Sequence, residues 1–175
     1  MEKNILNKSN SYLTFKLSDE IFAAHVSKVL NILEMVRITK VPKAPDYMIG
    51  VINLRGEVLP VIDTRIKFGM PLTEHTVHTC IIVMNIEMDG KTLDIGALVD
   101  AVQEVIEVDA SEILPPPSIG NKYKSEFITG MISYGEQFMM LLDIDKVLTS
   151  DELITINQTK INDEFDFPGT EQQVE

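Results

Sequence analysis

The segment Phe22 to Pro42, FAAHVSKVLNILEMVRITKVP, lies without a gap on Ile95 to Pro115, IGALVDAVQEVIEVDASEILP. Val26 falls on Val99, Val29 on Val102, Ile32 on Val105, Glu34 on Glu107 and Pro42 on Pro115. Further along, MIGVINLRGEVLPVIDTRI (48–66) resembles ITGMISYGEQFMMLLDIDK (128–146), with Gly50 on Gly130, Ile52 on Ile132 and Gly56 on Gly135. Apolar positions alone match by chance in any chain rich in Val and Ile. The shared proline, the Gly-Glu pair and the aspartate closing each run, Asp63 or Asp143, argue for a duplication. A repeated unit constrains the fold more than any single motif, because both copies must bury the same apolar positions. With 175 residues the chain holds one ordinary domain or two small joined ones.

Each copy reads mostly as β. The runs 12–17, 50–56, 57–63, 79–87, 93–99, 127–133 and 138–144 are β-branched or apolar. Turn signals bound them at Ser18-Asp19, Arg55-Gly56, Asp89-Gly90 and Tyr134-Gly135. Closely spaced short strands predict small barrels or a sandwich rather than a parallel α/β sheet. Pro60 predicts an edge or a bulge at its strand. Short helices are expected at Val26–Leu33, Thr64–Phe68 and Asp145–Leu148, although 25–33 also reads as a strand. The expected organisation is a flexible N-terminus (1–10), a first barrel subdomain (11–72) and a second (77–150), with strand exchange between them left open. Residues 69–76 read as the linker and Pro115-Pro116-Pro117 as a stiff extended segment. From Thr155 the chain turns acidic and loses periodicity, which predicts a disordered tail over 155–175.

Composition narrows the function. A formal net charge of −12 argues against nucleic acid, which demands clustered Lys and Arg, and against direct adhesion to an anionic membrane. A single cysteine, Cys80, excludes an internal disulfide and suits a reducing compartment. No signal-peptide core or membrane-length apolar run is present, so a cytoplasmic protein is expected.

No reactive constellation can be assembled. Cys80 opens the apolar run CIIVM, as a buried inert thiol would. His75-x-x-His78 lacks the Cys or carboxylate cluster that would complete a metal site. No glycine-rich loop has phosphate-binding spacing. Asp63, Asp100, Asp143 and Asp145 read as strand-end or capping residues rather than an acid pair. These readings predict neither enzyme activity, cofactor nor metal.

At Gly50-Val51-Ile52-Asn53-Leu54-Arg55-Gly56, followed by EVLPVIDTRIKFG, the chain resembles the CheW family of chemotaxis coupling proteins. FAAHVSKVLNIL, ITKVPKAPDYMIG, IGALVDAV, ILPPP and FITGMIS…MMLLDIDKVL stand where that family would put them, so the resemblance covers roughly residues 11–150. It implies two intertwined five-stranded SH3-like barrels with a few short helices. It also implies an adaptor that binds the regulatory domain of the histidine kinase CheA and the cytoplasmic tip of methyl-accepting receptors. Any membrane location would come through those receptors. Carried over by position, Arg55 with Asn53, Leu54 and Gly56 marks the functional hairpin. Val29, Ile32, Val102 and Val105 mark apolar contact positions, and Gly96 a sensitive glycine. Asn31 departs from the family's frequent glutamate, which weakens any salt bridge inherited there, with Glu34 as the substitute at hand.

Arg55 precedes a turn glycine and appears without a counterpart in the second copy, which a purely structural arginine would have. Its planar fork also suits a partner's carboxylate. Val29, Ile32, Val102 and Val105 read equally as shared core, since matched β-branched positions are what two copies of one core produce. The rival readings are a CheW-type scaffold of another receptor array, such as one for surface motility, and a small ligand-binding barrel.

Overall fold

The computed structural model describes residues 10–116 and 126–165. The first copy supplies β1 (Ser11–Leu17), β2 (Glu20–His25), β3 (Val29–Glu34), β4 (Met48–Leu54) and β5 (Glu57–Asp63). The second supplies β6 (Cys80–Met88), β7 (Lys91–Val99), β8 (Ala101–Glu107), β9 (Ile128–Tyr134) and β10 (Gln137–Leu142). A short helix, α1 (Thr64–Lys67), follows the first copy, and α2 (Ser150–Phe165) follows the second.

The strands form two five-stranded sheets, ordered β3-β6-β7-β5-β4 and β8-β1-β2-β10-β9. Replacing each strand by its repeat counterpart converts one order into the other. Each sheet therefore takes two strands from one copy and three from the other. An isolated bridge rolls each sheet toward closure, Thr39 to Val51 in one and Leu114 to Met131 in the other. We call β3–β7 the contiguous barrel and β1, β2 and β8–β10 the split barrel. The expected division at residues 72–77 separates the copies along the chain but not the sheets. β1 and β2 both cross to the split barrel, while β6 and β7 cross to the contiguous one.

Strand pairing tests the repeat register. In parallel pairs, Leu141 meets Ala23 and Val61 meets Gly96. In antiparallel pairs, Val102 meets Phe15 and Val29 meets Met84. These equivalences follow the gapless alignment. The match of Pro42 with Pro115 does not survive, because Glu107 to Leu114 is two residues longer than Glu34 to Thr39. A 3-10 turn, Ala110–Glu112, takes up the excess. Gly56 and Gly135 are also not equivalents. Leu54 pairs with Glu57 and Tyr134 with Gln137, so Gly135 stands where Arg55 stands.

The apolar positions divide three ways. Leu13, Phe15, Phe22 and Ala24 of the split barrel pack with Ile82, Met84, Ile95 and Ala97 of the contiguous barrel in a core lying between them. The alternate residues fill the interiors: Ile21, Ala23, Met139 and Leu141 in the split barrel, and Ile81, Val83, Leu59 and Val61 in the contiguous one. Strands buried on both faces read as continuous apolar runs, as CIIVM does, rather than alternating ones. A chain of rings lines the seam, with Phe15–Phe22 stacked at 6.1 Å, Phe22–Phe68 tilted at 5.5 Å and Phe68–Phe127 stacked at 4.6 Å.

Several local expectations change in their tertiary setting. Residues 26–33 form a 3-10 turn, Val26–Lys28, and then strand β3. Pro60 is on neither an edge nor a bulge: β5 lies between β7 and β4. Its missing N–H is harmless because pairing with β7 begins only at Val61. The expected disordered tail over 155–175 continues a helix that begins at Ser150 and runs to Phe165, with Ile156 buried in the seam core beside Leu153 of the preceding turn. Residues 1–9, Pro117 and 166–175 lie outside the described residues. Thr73, in the expected linker, receives the Arg65 guanidinium on its hydroxyl at 2.7 Å.

Candidate interaction surfaces

The β4–β5 turn is built by its own sequence. Arg55 (φ 55°) and Gly56 (φ 87°) both take the left-handed region, as a two-residue type I′ turn requires. Asn53 Oδ1 accepts the Gly56 N–H at 2.7 Å, which fixes the turn from inside. Leu54 packs against the contiguous-barrel interior, leaving Asn53, Arg55 and Gly56 exposed. In the split barrel the equivalent turn has positive φ at Gly135 (63°). Arginine at such a position costs roughly 1–2 kcal/mol relative to the right-handed region. A glycine would relieve that strain, as it does at the counterpart; Arg55 is not there for the turn.

The apolar positions separate by exposure. Val29 and Val102 are half-buried against the seam core. Ile32 and Val105 are 44% and 59% exposed. They are repeat counterparts, Ile32 opposite Ile82 on β6 and Val105 opposite Leu13 on β1. Residues directly opposite share a face, and both Ile82 and Leu13 belong to the seam core. Ile32 and Val105 therefore border the seam, one from each barrel. Leu30, 54% exposed, extends the apolar edge along β3. The alternating exposure of β3 becomes clear only once its pairing is known, so sequence reasoning missed Leu30. Val36, Leu114 and Phe138 were missed likewise and are also exposed.

Two expected residues take other roles. Gly96 presents no surface: it is buried, and a Cβ there would lie 2.7 Å from Ile81 Cγ2 and 3.4 Å from Leu59 Cδ2. Its requirement for glycine is internal packing. Asn31 accepts the Ile32 N–H at 2.8 Å beside the bulge between Val29 and Asn31. A local backbone bond thus occupies the place where the family often has a charge.

The four aspartates are structural. Asp63 and Asp143 cap the turns that follow them, accepting from Arg65 N at 3.0 Å and Asp145 N at 3.1 Å. Arg65, buried, donates to Asp63 Oδ2 at 2.9 Å and to Asp100 Oδ1 at 3.0 Å. The hydrogen bond to Asp63 holds the Arg65 guanidinium pKa above its usual value against the opposing effect of burial. Burial pushes the Cys80 thiol up, away from reactivity. His75 and His78 stand on the exposed 71–78 stretch. Among the described residues, no group of three or more His, Cys, Asp or Glu could hold a metal ion. No helix there is long and apolar enough to cross a membrane.

Two exchanged barrels, an exposed arginine at positive φ and an aliphatic edge along the seam suit a scaffold class that displays binding surfaces. The comparisons agree. The CheW-like domain model matches residues 11–152. A chemotaxis protein CheW of Klebsiella aerogenes is 33% identical over 146 residues, covering 83% of this chain and 86% of that protein. Another, from Rhizobium meliloti, is 33% identical over 150 residues, covering 86% and 94%. The crystal structure of the scaffolding protein TtCheW from Thermoanaerobacter tengcongensis superposes with a TM-score of 0.72 at 28% identity, covering 82% of this chain and 90% of that one. The chain belongs to the CheW family, and it is a chemotaxis scaffold.

Proposed function

We propose that this scaffold couples the cytoplasmic tip of a methyl-accepting chemoreceptor to the regulatory domain of a CheA-type histidine kinase, with no chemical step of its own. It works in the cytoplasm and meets the membrane's inner face only through the receptor. Simultaneous binding raises the effective concentration of kinase at receptor and fixes their geometry. Arg55 carries the reading: it is exposed and held at positive φ where its repeat counterpart is glycine. Ser18 and Asp89 take the same φ in other hairpin turns, but both are short polar residues suited to turns, whereas Arg55 brings a long exposed guanidinium. The kinase contact is assigned to the Asn53–Gly56 turn with its planar guanidinium. The seam edge, with Ile32 and Val105 over the half-buried Val29 and Val102, suits the apolar stripe of a receptor helix.

A protein FrzA of Myxococcus xanthus is 27% identical over 139 residues, covering 78% of this chain and 84% of that protein. A scaffold of another receptor array is therefore the second reading. Calorimetric titration against the cognate kinase regulatory domain, with Arg55→Ala in parallel, separates the outcomes. Saturable one-to-one binding weakened by the variant is expected. Binding unaffected by the variant moves Arg55 off the kinase interface, and no binding from a folded sample overturns the coupling.

A further inference from the structure

The chain crosses between the barrels where β2 leads into β3 and where β7 leads into β8, and an ion pair holds each crossing. At the first, Lys28 Nζ meets Asp145 Oδ2 at 2.9 Å, and Asp145 also accepts the Glu87 backbone N–H at 2.9 Å. At the second, Asp100 takes the Arg65 guanidinium at 3.0 Å, the Thr73 hydroxyl at 2.6 Å and the Ser18 N–H at 2.6 Å. The repeat register makes these one joint seen twice. Arg65 and Asp145 are counterparts, each two residues beyond the aspartate that caps its turn. Lys28 stands one residue beyond the counterpart of Asp100. The polarity is reversed between them.

We propose that this reversal selects the strand exchange. The β1–β2 hairpin leaves toward β3 carrying the cation Lys28, and the strand it docks on, β10, is followed by the anion Asp145. The β6–β7 hairpin leaves carrying the anion Asp100, and its acceptor, β5, is followed by the cation Arg65. Docking each hairpin on its own copy would set Lys28 against Arg65 and Asp100 against Asp145. Both native pairings attract; both wrong pairings repel. The apolar positions discriminate less, because Phe22 and Ile95, or Phe15 and Met84, are counterparts of similar bulk facing the same core. Each crossing is also short, so a misdocked hairpin has to displace its neighbours or dock on another molecule.

The test is a double charge exchange, Lys28→Asp with Asp145→Lys. It keeps both native ion pairs attractive while making both wrong pairings attractive as well, at the loss of the acceptor for the Glu87 N–H. The expected result is a urea midpoint somewhat below the parent's through that loss, with refolding that yields about fivefold or more misdocked product, read as a new slow phase or as dimers on a sizing column. Lys28→Met and Asp145→Asn, which remove the native pair without rewarding the wrong one, should lower the midpoint yet refold cleanly to monomer. A double variant that cannot be refolded while both single variants can also supports the selection. Refolding of the double variant with the parent's kinetics to a single monomeric product overturns it. Equal misdocking by the single variants does so too.

Discussion

At the scale of single residues, conformation separates the positions that hold the fold from those that display a surface. Arg55→Gly should stabilise the protein by about 0.5–1 kcal/mol, since glycine accepts positive φ and its greater unfolded-state entropy offsets only part of the relieved strain. The same change should weaken kinase binding. Urea unfolding and calorimetry on one sample check both signs, and a variant that is less stable sinks the strain argument. Gly96 behaves oppositely. Gly96→Ala drives a methyl against Ile81 in a filled interior and should cost about 1–3 kcal/mol. Its folded fraction should still bind partners with the parent affinity, in contrast to Arg55→Ala. Arg55 stood out in the sequence because no arginine answered it in the second copy. The buried setting of Gly96 was not legible, because it depends on Leu59 and Val61 of β5, a strand that β7 reaches only by the exchange.

At the scale of elements, α2 is the segment that sequence reading placed wrongly. Its apolar pattern is weak: among its described apolar side chains Leu153 and Ile156 are buried while Ile154 is exposed. Two anchors suffice because the seam core is already there to receive them. Ile156→Ala should cost about 2–5 kcal/mol, measured by thermal or urea unfolding; a loss below 1 kcal/mol would mean that the helix is not docked in solution. Lys67 holds the first turn of α2 through Glu152 at 2.5 Å. Burial raises the Glu152 pKa, but the Lys67 and Thr149 hydrogen bonds more than reverse this, and the folded value lies below the usual one. A depressed folded pKa adds stability above the unfolded pKa, and that stability is lost as pH falls through the folded one. Helix docking should therefore loosen in acid below the ordinary glutamate range, with amide exchange in α2 rising before that of β6. Glu152→Gln should remove this pH dependence.

At the scale of the whole molecule, the exchange makes the two copies inseparable. Each barrel takes two strands from one copy and three from the other, and the largest core lies between the barrels. Fragments cut at residue 76, 10–76 and 77–165, should each be unfolded by circular dichroism and should recover strand signal when mixed. Independent folding of either fragment would contradict the topology. Salt should weaken the buried Arg65 pairs less than the more exposed Lys28–Asp145 pair.

What the sequence by itself determined was the local and the periodic. The hairpin turns, the β character, the duplication and the NLRG turn are all written in nearest neighbours and in spacing, where residue type acts directly on backbone conformation. Which copy supplies which strand was not written there. β1 and β6 carry equivalent apolar patterns, so local preference fits each to either acceptor. The choice rests on contacts between residues far apart in the chain, such as Lys28 with Asp145 and Asp100 with Arg65. Only the tertiary structure decided it, and with it the seam that places Ile32 and Val105 on one edge and buries Gly96 inside a barrel.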